Sequence, residues 1–172
     1  MHKKRLLPPL VALVAALWLG QSWAVNLCPG WDHVEGDDQP RNEAFFSPYT
    51  YHWRPSDDHR PVFALSLSRR LPDNRFCGAS LFRNSFGQPS AYVYVGKTWE
   101  SFIPAVPRLY GSVSAGVIYG YKGEFKDKVP LNFGGFAPAI IPAVGYRLSD
   151  RASVEMQVLG TAAVMFGASW RY

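Results

Sequence analysis

From Ala44 to Tyr172 the chain sorts its side chains in twos. In the last segment Val164, Phe166, Ala168, Trp170 and Tyr172 fall on one face, and Met165, Gly167, Ser169 and Arg171 on the other. Residues 151–158 set Ala152, Val154, Met156 and Val158 against Ser153, Glu155 and Gln157. Residues 109–121 set Leu109, Val113, Ala115, Val117, Tyr119 and Tyr121 against Ser112, Ser114, Gly116 and Gly120. A helix repeats its faces every 3.6 residues and cannot produce this pattern, whereas a strand must. Turn-forming residues divide the region into eight such segments: 44–53, 61–69, 75–83, 90–99, 109–121, 136–148, 151–158 and 162–172. One apolar face per strand fits a sheet with a single buried side, a soluble lipocalin-like barrel, or a barrel whose outside is lipid.

Three features favour lipid. The non-apolar faces carry Ser, Gly and Ala rather than the Lys and Glu of a sheet facing water. Tyr and Trp collect at segment ends (Tyr49, Tyr51, Trp53, Trp99, Tyr119, Tyr121, Tyr146, Trp170, Tyr172), the depth at which aromatic girdles sit. The last residues, Gly167, Trp170 and Tyr172, resemble the terminal signal that outer-membrane barrels present to the barrel-assembly machinery. An even strand number closes the sheet and removes its edges. The expected fold is all-β: an eight-stranded antiparallel up-and-down transmembrane β-barrel over residues 44–172, acting as a monomer.

Residues 1–24 read as a secretory signal peptide: Lys3, Lys4 and Arg5, then an apolar run from Leu10 to Leu19, then Ser22 and Ala24 at the positions a signal peptidase reads. That run is far shorter than the ~20 residues of a spanning helix. Residues 25–43 are polar and acidic and read as a periplasmic tail. Without the leader's three cations, 15 basic face 13 acidic side chains, a formal +2. So small a surplus excludes a nucleic-acid partner, which needs a concentrated basic surface. With 15% aromatic and only 18% charged residues, the chain is not composed like a disordered one. The destination is the outer membrane. Its oxidising side permits a Cys28–Cys77 disulfide, with the parity of Cys77 open between lumen and lipid. No cofactor motif and no metal-ligand pattern is read.

With both ends of the barrel in the periplasm, connections 54–60, 84–89, 122–135 and 159–161 become outer loops. His52 then tops the first strand, and Asn84 and Ser85 top the third. Taking Phe45, Tyr49, Tyr51 and Trp53 as one lipid-facing set turns His52 inward. A histidine beside a hydroxyl at the lumen mouth suits acyl transfer, as base and polarising group. A solvated histidine and an ordinary Asn-Ser loop fit the same residues. Ala64, Ser66, Ser68, Ser112, Ser114, Gly116, Ala143, Gly145, Gly167 and Ser169 would line the lumen, leaving a slot for a hydrocarbon chain unless Tyr92, Tyr94, Ile118, Ile141 and Met165 fill it. Pro48, Pro61, Pro138 and Pro142 cannot donate to a ladder, so they mark either lateral gaps or bulges.

The stretch FALSLSRRLPDNRFCGASLFRNSFGQPSAYVYVGKTWE resembles the corresponding stretch of the outer-membrane lipid A palmitoyltransferases (PagP). The resemblance extends thinly over residues 44–172. It implies a barrel that moves an acyl chain from phospholipid to lipid A, its two lipid partners. His52 matches that family's strand-top histidine. Asn84-Ser85 matches its Asp-Ser pair in place, with Asn where the family has the acid. Gly96 matches the glycine on the floor of its acyl ruler. Arg60-Pro61 and Pro138-x3-Pro142 resemble the prolines beside its lateral openings. The family's N-terminal amphipathic helix has no counterpart in 25–43, and the third outer loop differs. Arg54, Arg60, Arg83, Lys122, Lys126 and Lys128 would meet lipid A phosphates at the rim or simply face anionic lipopolysaccharide. A non-catalytic structural or lipid-binding barrel, or least readily a transporter, is the alternative class. If Tyr172 belongs to an assembly signal, its deletion should sharply lower the yield of heat-modifiable barrel in membranes; an unchanged yield contradicts it.

Overall fold

The computed structural model describes Cys28, residues 41–54 and residues 56–172. The signal peptide and nearly all of the tail lie outside the described residues. The strands are β1 (Arg41–His52), β2 (Ala64–Arg70), β3 (Arg75–Arg83), β4 (Pro89–Glu100), β5 (Leu109–Tyr119), β6 (Phe136–Arg147), β7 (Ala152–Leu159) and β8 (Ala163–Arg171), with a 3₁₀ helix at Gly123–Lys128. Each strand pairs antiparallel with the next, and β1 also pairs with β8, so the sheet is a closed eight-stranded barrel. Arg41 and Tyr172 share one end with the β2–β3, β4–β5 and β6–β7 connections (the turn end). The other four connections form the loop end.

The period-two alternation is realised as outside and inside. Leu65, Leu67, Leu81, Val93, Val117 and Ile140 are exposed on the outer wall, while Ala64, Ser66, Ser80, Ser112 and Ala143 are buried within. Trp99, Tyr146 and Trp170 ring the turn end, and Tyr49, Tyr51 and Trp53 stand at the loop end. An apolar band between two aromatic girdles is the outer surface a bilayer requires.

Two expectations need correction at β1. The strand starts at Arg41, so residues 41–43 belong to the barrel and not to the tail. Phe45 is buried in the lumen and does not share a face with Tyr49, Tyr51 and Trp53. The cause is a one-residue bulge: from Phe46 to Tyr49 β1 advances three residues, while its partners on β8 run only from Ala168 to Phe166. Pro48 lies in that bulge and offers no N–H. The Ser47 hydroxyl instead donates to the Phe166 carbonyl at 2.8 Å. The parity flips there, which turns Phe45 inward below the bulge and leaves Thr50 and His52 inward above it.

Cys77 stands on the outer wall, between the inward-facing Phe76 and Gly78, and is nevertheless buried. It is disulfide-bonded to Cys28 with a Cα–Cα separation of 5.8 Å. The chain before β1 is thereby fastened to the outside of β3 near the turn end.

Toward the turn end the lumen is crossed by one polar layer. Glu43 of β1 pairs with Arg70 of β2 at 2.7 Å and with Arg171 of β8 at 2.9 Å. Arg70 donates to Thr98 of β4 at 2.8 Å and lies 4.9 Å from the Phe76 ring of β3. The Tyr110 hydroxyl of β5 donates to Glu155 of β7 at 2.7 Å, and Ser169 of β8 donates to the same carboxylate at 2.6 Å. Arg147 of β6 sits 4.1 Å from the Tyr110 ring and pairs with Glu100 of β4. Every strand therefore contributes to the layer. Gly145 admits Tyr110, since a Cβ there would lie 2.2 Å from its ring. Removing one partner of a buried ion pair costs about 3–5 kcal/mol, because the other charge stays buried and uncompensated. Glu43→Ala should lose about that much in urea unfolding from lipid vesicles; a loss below about 1 kcal/mol, the level of a surface pair, contradicts a buried floor.

Candidate functional site

Above this layer the lumen is open. A cavity of about 370 Å³ runs toward the loop end, walled by small side chains such as Ala64, Ser66, Ser80, Ser112, Ser114 and Ala143. Tyr92, Tyr94, Ile118, Ile141 and Met165 line it as well and do not fill it. The two tyrosines are held by their hydroxyls: Tyr92 bonds Ser114 at 3.2 Å, and Tyr94 bonds Ser68 at 2.8 Å. That anchorage pins both phenols to wall residues and leaves the axis clear. The volume falls in the range of small-ligand pockets.

The wall is incomplete in two places, both in the loop half. The β1–β2 ladder ends at Ser47 and Ala64, so Pro48 to His52 has no β2 partner. The β6–β7 ladder ends at Ala143 and Gln157, so Phe136 to Pro142 has no β7 partner. Prolines flank both gaps: Pro48 and Pro61 at the first, Pro138 and Pro142 at the second. Pro138 and Ile140 point outward from β6, yet both border the cavity. Outward residues can border a lumen only where the wall beside them is open, so the cavity reaches the barrel flank between β6 and β7.

His52, Asn84 and Ser85 all line the cavity at its mouth, as strand order predicts. Their chemical situations differ. The His52 ring packs on His59 of the first loop, with centroids 4.3 Å apart. His59 lies 5.7 Å from Phe86, which stacks on Phe125 at 4.4 Å. The Nδ1 of His59 is buried and lacks a hydrogen-bond partner among the described residues. Asn84 is fully buried and serves the β3–β4 turn: its side-chain oxygen accepts the Phe86 and Gln88 amides, each at 3.0 Å. Its NH₂ group donates to the Gln88 side chain at 3.4 Å. The Ser85 carbonyl accepts the Arg60 amide at 2.8 Å, tying the first loop to the second. Tyr121 and Lys128 complete the mouth, and burial pushes the Tyr121 hydroxyl up to about 12, so it stays a neutral donor.

Gly96 faces inward but does not border the cavity. The Phe76 ring occupies the space in front of it, 2.3 Å from where a Cβ would stand. Phe76, resting against Arg70, borders the cavity there instead. Arg54 and Arg83 are exposed at the loop end, and Lys122 lies 4.2 Å from the Tyr119 ring; none of the three borders the cavity. Sequence reasoning missed His59, Phe86 and Phe125. They lie in loops, where no periodicity speaks, and only the recurrence of histidine seven residues after His52 could have drawn attention.

No protein-family profile matches the chain, and no curated protein matches it. Among solved structures, it is similar to a de novo designed transmembrane β-barrel at 15% identity and a TM-score of 0.51, over 78% of this chain and 98% of that one. The fold is that of a transmembrane β-barrel. The likeness carries the fold alone, because a designed barrel shares no functional ancestry with the mouth residues.

The turn role of Asn84 has a measurable consequence. Asn84→Ala leaves two half-buried amides without their acceptor and should destabilise the barrel by about 1–3 kcal/mol in urea unfolding. Asn84→Asp keeps both acceptor bonds and should fall within about 1 kcal/mol of wild type. Equal losses in the two variants would show that the turn does not depend on that oxygen.

Proposed function

We propose that this chain is an outer-membrane barrel that takes one acyl chain of a phospholipid into its lumen and transfers it to lipid A, in the manner of the PagP family it resembles. The observation that carries the proposal is the shape of the cavity: small-walled, closed below by the Glu43–Arg70 layer, breached at the flank, and bordered at its mouth by His52. A polar solute passing end to end would have to dissolve that ionic layer, so the shape argues against transport. A hydrocarbon chain entering from the bilayer through a flank gap needs no such disruption.

In this reading the His52 imidazole accepts the proton of a lipid A hydroxyl. The freed oxygen attacks the ester carbonyl of the seated chain. The carbon–oxygen bond to the glycerol backbone breaks, and the proton passes to that departing oxygen, giving acylated lipid A and a lysophospholipid. His59 positions His52 by stacking on it, and Ser85 and Tyr121 stand where hydroxyl donors could meet the developing oxyanion. Phe76, in front of Gly96, ends the slot and sets the chain length. Arg54, Arg83 and Lys122 offer cations to lipid A phosphates at the rim.

A second reading, acyl-chain binding without turnover, is favoured by one observation: the Asn84 side chain is committed to its own turn and stands in for no carboxylate. Mass spectrometry of lipid A from cells with and without the gene separates the two. Transfer predicts a species heavier by one acyl group, lost in His52→Ala and Ser85→Ala and preserved or raised in Asn84→Asp. The absence of that species in wild type and in Asn84→Asp overturns the enzyme reading. Phospholipid retained by the purified barrel would then support binding alone.

A further inference from the structure

A second concavity, of about 180 Å³, opens at the turn end beneath the polar layer and is lined by Arg41, Arg70, Leu71, Pro72, Asn74, Glu100 and Arg171. Arg70 borders both this pocket and the main cavity, so the layer is the partition between them. The charges around the pocket do not balance. Arg41, Arg70, Arg147 and Arg171 face the carboxylates Glu43 and Glu100, a surplus of two positive charges among the described residues. Counting Glu155, which is held on the cavity side by Tyr110 and Ser169, still leaves a surplus of one. Glu100 is engaged by Arg147, and Glu43 is shared between Arg70 and Arg171. Arg41 is exposed and has no ion-pair partner among the described residues. A guanidinium surplus with unused donors in a concave site calls for an anion with several acceptor oxygens, and phosphate fits best.

The setting of the pocket favours a phosphate carried by a lipid. The neighbouring β4–β5 turn exposes Phe102, Ile103 and Val106, and Trp99 and Trp170 ring the wall at the same end. Apolar turn residues beside interfacial tryptophans put this end at head-group depth in a bilayer. The half-buried Pro72 gives the pocket an apolar lip, suited to a group attached to glycerol and acyl chains rather than a free ion.

We propose that this turn-end pocket binds the phosphodiester head group of an anionic phospholipid, independently of the acyl pocket above it. The probe is the full chain in mixed phosphatidylglycerol–phosphatidylcholine nanodiscs, with the lipid retained on the released protein measured by native mass spectrometry. Wild type should retain phosphatidylglycerol preferentially. Arg41→Gln should cut that preference about fivefold, the factor expected for one cation at a membrane surface. Asn74→Gly, which keeps the left-handed backbone of Asn74 (φ 66°) while removing its amide, should also reduce it. Lys97→Gln removes the same charge at the same end but outside the pocket, and should leave the preference unchanged. No preference in wild type, or equal effects of Arg41→Gln and Lys97→Gln, overturns the proposal. So does full displacement of the lipid by millimolar inorganic phosphate, which would assign the pocket to a free anion.

Discussion

Glu43 holds two guanidiniums from the strands on either side of it, and most of the barrel's internal organisation follows from that arrangement. An eight-stranded barrel must fill its lumen with side chains, and in a membrane barrel those are largely polar because the apolar face is turned to lipid. Here one level is filled with charge. A buried charge must be paired and hydrogen-bonded, so its neighbours are dictated: Arg70 and Arg171 for Glu43, Thr98 for Arg70, Tyr110 and Ser169 for Glu155. Because the layer draws on all eight strands, it also fixes their register. The polar filling is concentrated at one depth, and the loop half can be left to serine and alanine without the barrel collapsing. The cavity exists because the floor does.

The openings follow a second constraint. A closed barrel has no free edge, so a lipid can reach the lumen sideways only where the ladder is interrupted. Proline interrupts it at the cost of a hydrogen bond rather than of a strand. Pro48 shows both outcomes in one place. It sits in a bulge that Ser47 repairs toward β8, while the β2 side is left open. On β6 the interruption begins at Pro142, one residue past the last pair with β7. Both gaps lie above the polar layer, so opening the flank does not disturb what closes the floor.

Much of this was legible in the residues because a strand repeats with an integer period. The eight segments read from alternation lie within three residues of the observed strands at every boundary. The inward placement of His52 was read correctly, although through a face that wrongly included Phe45. A bulge shifts parity without leaving a trace in hydrophobicity, and only the proline hinted at it. The role of Asn84 was not legible, since an asparagine in a turn and one facing a histidine look alike in sequence. The same holds for Gly96, whose space is taken by Phe76 from the neighbouring strand, a cross-strand relation visible only once the register is known. His59 escaped because loops carry no periodicity. The mouth is assembled from strand tops and loops: His52, Asn84 and Ser85, at or next to strand ends, could be anticipated from strand order, whereas His59, Phe86 and Phe125, deeper in the loops, could not.

The central claim is that the lumen accepts a lipid acyl chain from the side and stops it at the polar layer. Photo-crosslinking tests this most directly, using the reconstituted barrel and a phospholipid that carries a diazirine at the methyl end of one chain. The account predicts adducts on residues deep in the lumen, on Phe76, Ser80 or Tyr94, where the slot ends above Arg70. Adducts confined to outward residues such as Leu65, Leu81 and Val93 would show that lipid only solvates the wall, and would contradict it.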